Sequence, residues 1–215
     1  MNNSNLITKE EEKSKALELA QWLTTKAVAG IGSLLSADEL AREYLDDPSY
    51  NSNEERVDSL INWETSKNFT SGFITGLGGL LTLPVTIPAS LGASWLIQAR
   101  MVAAIAKIYG HDISEERVQI AILMVIIGQD VKEVCKNAGV QIGTKFTYKL
   151  IAKIPSSALK RINQLVGFRL LSKAGERSVV SLTKMVPVVG GIVGGRFDAV
   201  TCRIVGKAAK SAFGE

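Results

Sequence analysis

The sequence predicts an all-α protein: a single multi-helix bundle around a central hydrophobic helical hairpin, broken by glycines and prolines. Three observations carry this. Apolar residues recur at helical spacing behind repeated N-capping signals. The β-branched runs Val186–Val189 and Ile192-Val193 are interrupted by glycines, which leaves little to build a strand from. Residues 68–99 form a run of 32 without a single Asp, Glu, Lys or Arg.

Taken in order, Thr8-Lys9-Glu10-Glu11 reads as a capping box, followed by Ala16, Leu17, Leu19, Ala20 and Leu23 on one helix face. The box recurs as Ser36-Ala37-Asp38-Glu39 before Leu40, Ala41 and Leu45, and as Ser52-Asn53-Glu54-Glu55 before Val57, Leu60 and Ile61. Asp46-Asp47-Pro48-Ser49 is the loop between them. Residues 1–52 are expected to be acidic N-terminal helices, and 53–215 the main helical domain.

The neutral run comes next. Pro84 and Pro88 cannot both be helix interior, so it should fold back near Leu83–Pro88. The first arm has 16 residues, about 24 Å of helix, short of a hydrocarbon core about 30 Å thick. The second arm, Ala89–Ala106, carries Gln98 and Arg100, and a central Arg costs roughly 2.5–3.5 kcal/mol to insert. Burial in the domain core, dipping into one leaflet and true spanning all remain open, with a hairpin that is buried or dips favoured over a straight span.

A further helix is expected from about Ser114 to Asn137, ending at Gly139. Its block Val118–Ile127 is apolar all round and too short to span a bilayer, so it reads as a central bundle helix. Pro155 and Pro187 suit first turns of helices. Gly190/Gly194 and Gly191/Gly195, echoed by Gly72/Gly76, are small-xxx-small pairs that allow close helix approach or a turn.

Apolar residues make up 46% and charged residues 21% of the 215, which excludes wholesale disorder. Cys135 and Cys202 are too few for a disulfide framework, and His111 is the only histidine. No metal site and no cofactor is expected. The first residues are polar rather than a signal peptide, so the expected location is cytoplasmic, peripheral at the inner membrane face. Residues 1–70 hold 13 acids and 7 bases, whereas 71–215 hold 8 acids and 18 bases. Within 132–184 there are 11 bases against Glu133 and Glu176. Such a block favours an anionic partner, although a solvated basic face neutralised by the acidic N-terminal region would look the same.

Several motifs together resemble the EcsC family of bacterial proteins. They are Gly72-Phe73-Ile74-Thr75-Gly76-Leu77-Gly78-Gly79, then Pro88-Ala89, Ser94-Trp95-Leu96-Ile97-Gln98-Ala99-Arg100, Tyr109-Gly110 and Lys153-Ile154-Pro155. Gly167-Phe168-Arg169-Leu170-Leu171, Val186-Pro187-Val188-Val189-Gly190-Gly191 and Phe197-Asp198-Ala199 follow in order. The resemblance runs from about Asn68 to Gly206. It implies a helical, membrane-linked group, named for a member encoded beside an ABC transporter, and carries no catalytic assignment. Where it leads one to expect an acid, this chain has Ser90.

Chemistry is sparse. Gly76-Leu77-Gly78-Gly79 lacks the Lys-Ser/Thr of a phosphate loop and a preceding strand. No G-x-S-x-G elbow occurs. His111, in Tyr109-Gly110-His111-Asp112, reads as an exposed loop residue, and Cys135 as a buried thiol, unless Lys132 and Lys136 depress its pKa. Gln98, Arg100, Gln129, Asp130, Arg196 and Asp198 are candidates for a polar pocket at the bundle end; pairing Asp130 with Arg100, or Asp198 with Arg196 or Arg203, would equally serve as helix-register ion pairs. Lys145, Lys149 and Lys153 recur every four residues beside Phe146, Leu150 and Ile154. With Lys160, Arg161, Arg169, Lys173 and Arg177 they form the candidate lipid- and anion-binding surface. Gly76, Gly78, Gly79, Pro84 and Pro88 are the candidate insertion residues.

The expected function is therefore a non-catalytic, membrane-associated protein that binds an anionic lipid surface or an acyl chain. An adaptor for a membrane protein such as an ABC transporter is the alternative, and an enzyme with an unrecognised site a further one. Nucleic acid is disfavoured, because base-stacking aromatics are scarce in the basic block.

Overall fold

The computed structural model describes residues 3–32, 34–68, 83–85, 87–142, 146–183 and 190–214, with helix backbone alone at 3–9, 67–68, 176–183 and 190–198. Among these residues the regular structure is α-helical, as the sequence predicts: α1 (Asn3–Ala29), α2 (Ala37–Leu45), α3 (Asn53–Asn68), α4 (Ala89–Ile108), α5 (Glu116–Ile127), α6 (Val131–Asn137), α7 (Tyr148–Ala152), α8 (Ser156–Thr183) and α9 (Gly190–Phe213).

Local chemistry places most of the helix ends. At α2 the capping box is complete: Glu39 N–H donates to Ser36 Oγ at 3.1 Å and Ser36 N–H to Glu39 Oε2 at 2.8 Å. At α3, Glu55 N–H donates to Ser52 Oγ at 3.2 Å, while the Glu55 carboxylate accepts from Asn51 N–H at 2.8 Å. The box expected at Thr8 is not a helix start, because α1 already runs from Asn3 through it; once upstream residues are helical, the donors that Thr8 would cap have carbonyl partners. The helix expected over 114–137 is two helices joined by a 3-10 turn at Gly128–Asp130. Gly128 adopts φ +64°, a left-handed conformation that ends α5. Gly139 closes α6 as expected: Val140 N–H donates to Cys135 O at 2.8 Å and Gly139 N–H to Lys136 O at 3.0 Å, a Schellman motif.

The centre of the bundle is α4, which packs against α1, α2, α3, α5 and α9. Every residue from Leu91 to Ala106 is buried. By length and composition α4 could cross a membrane, but 89% of its apolar window is covered by the rest of the protein. The second arm of the predicted hairpin is thus core. Pro84 and Pro88 lie in the exposed connection that precedes it, with Pro88 at the N-cap. Gly76, Gly78 and Gly79, and the first arm through residue 82, fall outside the described residues. Val118 and Ile120–Ile127 of α5 are buried as well, so α4 and α5 form a paired centre.

Two close approaches set the outer helices. A Cβ at Gly167 of α8 would stand 2.0 Å from Ala16 O of α1, so these backbones cross with nothing between them. Gly206 of α9 lies against Ile61 of α3. That seam is held by Lys210 to Asp58 at 2.7 Å and Arg203 to Asn62 at 2.6 Å.

Candidate functional site

The basic block falls into two groups once folded. Arg169 Nε lies 3.6 Å from Asp130 Oδ1, and its Nη2 bonds Glu133 Oε2. Lys173 Nζ reaches Asp130 Oδ2 at 2.9 Å and donates to Ile127 O at 2.8 Å, capping the end of α5. These two predicted anion binders are internal braces between α8 and the turn around Gly128. Arg117 of α5, which the sequence reading passed over, is another brace: it donates to Ile151 O at 3.2 Å and Ile154 O at 2.5 Å, and so fixes α7 on α5.

The second group is free. Lys149, Lys153, Lys160 and Arg161 are exposed and have no ion-pair partner among the described residues. They occupy one short span from α7 into the first turns of α8, which carry no acid. Four uncompensated cations therefore sit beside the partially positive end of a 28-residue helix. The expected Lys145/Lys149/Lys153 helix face does not form, because Phe146 and Thr147 are not helical and Thr147 is extended at φ −135°. Lys145 lies outside the described residues, as does the side chain of Arg177.

Beside this patch α1 and α8 enclose an open groove of about 490 Å³. Its walls are Lys13 from α1 and, from α8, the cations Lys160 and Arg161, the polar Ser157 and Gln164, and the apolar Leu165 and Phe168. On α8 the spacing 157, 161, 164/165, 168 is that of one helix face. Lys13 is braced by Glu10 at 2.5 Å. The groove thus has a cationic rim over an apolar floor, an arrangement that accommodates a molecule with a negative head and an apolar body. Sequence reasoning missed Lys13 because it lies in the net-acidic region; no local spacing signals that α1 folds onto α8.

The described polar-pocket candidates, Gln98, Arg100, Gln129 and Asp130, find separate surroundings. Arg100 is 5% exposed and pairs with Glu64, 2% exposed, across α4 and α3, rather than with Asp130. Glu64 lies 36 positions earlier, at no spacing that local helix geometry would flag. Burial is the first reason that the nearby Tyr44 hydroxyl is pushed far above its usual value, and the Glu64 charge adds to it. Arg100 Nε has no hydrogen-bond partner among the described residues. Gln98 Nε2 bonds Ser94 Oγ at 3.1 Å inside the core. Gln129 is exposed, and Asp130 serves the α8 brace. Arg203 binds Asn62 instead of Asp198, and the side chains of Arg196 and Asp198 lie outside those described. Gln98 and Arg100, two positions apart on α4, point to different sides of the helix, so each meets a different neighbour.

His111 is half-buried rather than exposed. Its Nε2 pairs with Phe213 O at 3.0 Å, and its ring packs edge-on against Tyr148 and Phe213, which fastens the end of α9. Cys135 is a buried thiol, pushed up to about 11 by burial, and Lys132 and Lys136 do not offset it. Among the described residues no group of His, Cys, Asp and Glu could hold a metal ion.

Comparison with known proteins gives one family. The model of the EcsC protein family matches residues 1–214, a span that includes both acidic N-terminal helices. No curated protein and no solved structure shows significant similarity to the chain.

Proposed function

The chain belongs to the EcsC protein family, and from that premise we propose that it is a non-catalytic protein that docks peripherally on an anionic lipid surface. The observation that carries the reading is the coincidence of four unpaired cations, Lys149, Lys153, Lys160 and Arg161, with the cationic-rimmed groove at the start of α8. Each cation near such a surface is worth about 1 kcal/mol, and the attraction fades within a Debye length of about 8–10 Å. Four of them, held on rigid helix ends, make a weak, reversible and salt-sensitive anchor. Leu165 and Phe168 at the groove floor add apolar area for whatever the headgroup carries. The absence of acids from the first turn of α8 favours this reading over a solvated face balanced by neighbours.

The test is flotation with phosphatidylcholine vesicles that carry no or about 30% phosphatidylglycerol, at low and high salt. Wild-type protein should float only with the anionic lipid and detach in high salt. Arg161→Glu should weaken partitioning about tenfold or more, since it loses one attraction and adds one repulsion of about 1 kcal/mol each. Lys15→Glu makes the same charge change at an exposed cation on the opposite side of α1 from Lys13 and should leave flotation near wild type. Equal losses in the two variants would show that net charge, not this site, governs binding. No flotation of wild type would discard the lipid-surface reading.

A further inference from the structure

A second concavity lies on another side of the bundle, about 270 Å³, where the end of α5 meets α6 and α9. Met124, Val125, Val131 and Phe146 form its apolar walls, and Gly128, Ala208 and Ser211 are the small residues that leave it open. Among the described residues that line it, Ser211 supplies the one side chain able to hydrogen-bond, so water there finds fewer side-chain partners than the two to four an ordered site offers. The slot is slightly below the roughly 300–1,000 Å³ of typical small-molecule pockets. A single chain fits it better than a fused ring system does.

The surface of α9 extends the slot. Val200 and Ile204 are 60% and 62% exposed, and they precede Ala208 by eight and four positions. At about 100° per residue, the three share a helix shoulder with Ser211. Exposed β-branched side chains aligned with an apolar slot make one linear apolar track. Lys207 lies at its edge, exposed, four positions before Ser211, and free of any ion pair among the described residues. Lys132, equally free, follows the wall residue Val131. The neighbouring acids Asp130 and Glu133 are taken up by Arg169 and Lys173, so neither is left unpaired beside these cations. The charges around the slot thus select an anionic end group.

We infer that this slot holds the chain of one fatty carboxylate, with its charged end at Lys207 and its tail between Phe146 and the Met124–Val125 wall. The inference rests on the lipid reading above and adds a single-molecule site to it, away from the α1–α8 groove. The thioether of Met124 suits a chain of variable length, because it reshapes at little cost.

Titration calorimetry with dodecanoate below its micelle concentration tests this, with dodecanol as the uncharged chain. Wild type should bind dodecanoate at one site. Ala208→Phe fills the slot from an exposed position and should weaken binding at least tenfold; Ser211→Leu does the same independently and covers the case in which the first variant misfolds. Lys207→Glu should weaken dodecanoate about tenfold or more and leave dodecanol unchanged, since it loses one attraction and adds one repulsion. Arg161→Glu should bind dodecanoate normally whatever it does to vesicle flotation, so the two readings can fail separately. The inference is overturned if wild type does not bind dodecanoate, or if both slot-filling variants fold and bind like wild type. A Lys207→Glu loss shared equally by dodecanol would overturn the assignment of the end group.

Discussion

Gly167 and Gly175 lie eight residues apart on α8 and should respond to alanine in opposite directions. At Gly175 an added Cβ meets nothing within 4 Å, so Gly175→Ala should stabilise by about 0.5–1 kcal/mol through lower unfolded-chain entropy and better helix propensity. At Gly167 the same methyl would stand 2.0 Å from Ala16 O and 2.5 Å from Ala16 C, backbone atoms that cannot rotate away. To restore ordinary contact at about 3.4 Å, α1 must withdraw by more than an ångström along a seam where Ala16, Leu19, Ala20 and Leu23 are fully buried. Overpacking of this kind costs about 1–3 kcal/mol, which the propensity gain of about 1 kcal/mol only partly offsets. A net loss of up to about 2 kcal/mol follows, and a gap between the two variants of about 0.5–3 kcal/mol. For a chain of this size that is about 1–12 °C in melting temperature. Urea unfolding and thermal melts followed by circular dichroism measure it directly. If Gly167→Ala proves as stable as Gly175→Ala, α1 and α8 do not cross in backbone contact, and the groove they frame loses its basis.

Two further outcomes follow from the ion pairs. Arg100→Met removes the guanidinium from the buried Glu64 carboxylate and should cost about 3–5 kcal/mol in urea unfolding, whereas Glu64→Leu with Arg100→Met should recover most of that loss; a single variant within about 1 kcal/mol of wild type would refute the buried pair. Asp38 is held below its ordinary value of 3.8, first by its hydrogen bond from Lys107 and then by the charges of Lys107 and Arg42. A depressed carboxyl contributes stability that is complete above its unfolded value and disappears as the pH falls through its folded one. Lys107→Met should therefore cost a few tenths to about 1 kcal/mol near pH 7, small because the pair is partly exposed, and the difference from wild type should vanish in strong acid. A difference that grew on acidification would reverse the assigned sign.

Elements that depend on neighbours within a turn or two were legible in advance. The capping box at Ser36, the Schellman stop at Gly139, and the proline at the start of a largely apolar helix are all short-range features, and all three stand. The misreadings share a cause. Thr8 looked like a helix start and residues 145–153 like one helix because capping and periodicity describe what a segment permits, while packing decides how far each helix runs. Gly128 was read as helix interior, yet its left-handed φ splits the run, and the reason lies with the partners gathered there: Lys173 on Ile127 O and on Asp130.

The sequence by itself determined the helical class, the apolar core and the sign of the charge on the C-terminal half. Those are properties of composition and periodicity, and they survive any arrangement of the helices. Tertiary structure alone decided which charges are free. Arg169 and Lys173 look no different in sequence from Lys160 and Arg161, but the first pair faces Asp130 and Glu133 across a packed seam and the second faces solvent beside Lys13. Coulomb interactions act through space and fall off with distance and screening. Which cation remains available to a ligand therefore depends on the placement of helices that are remote in the chain.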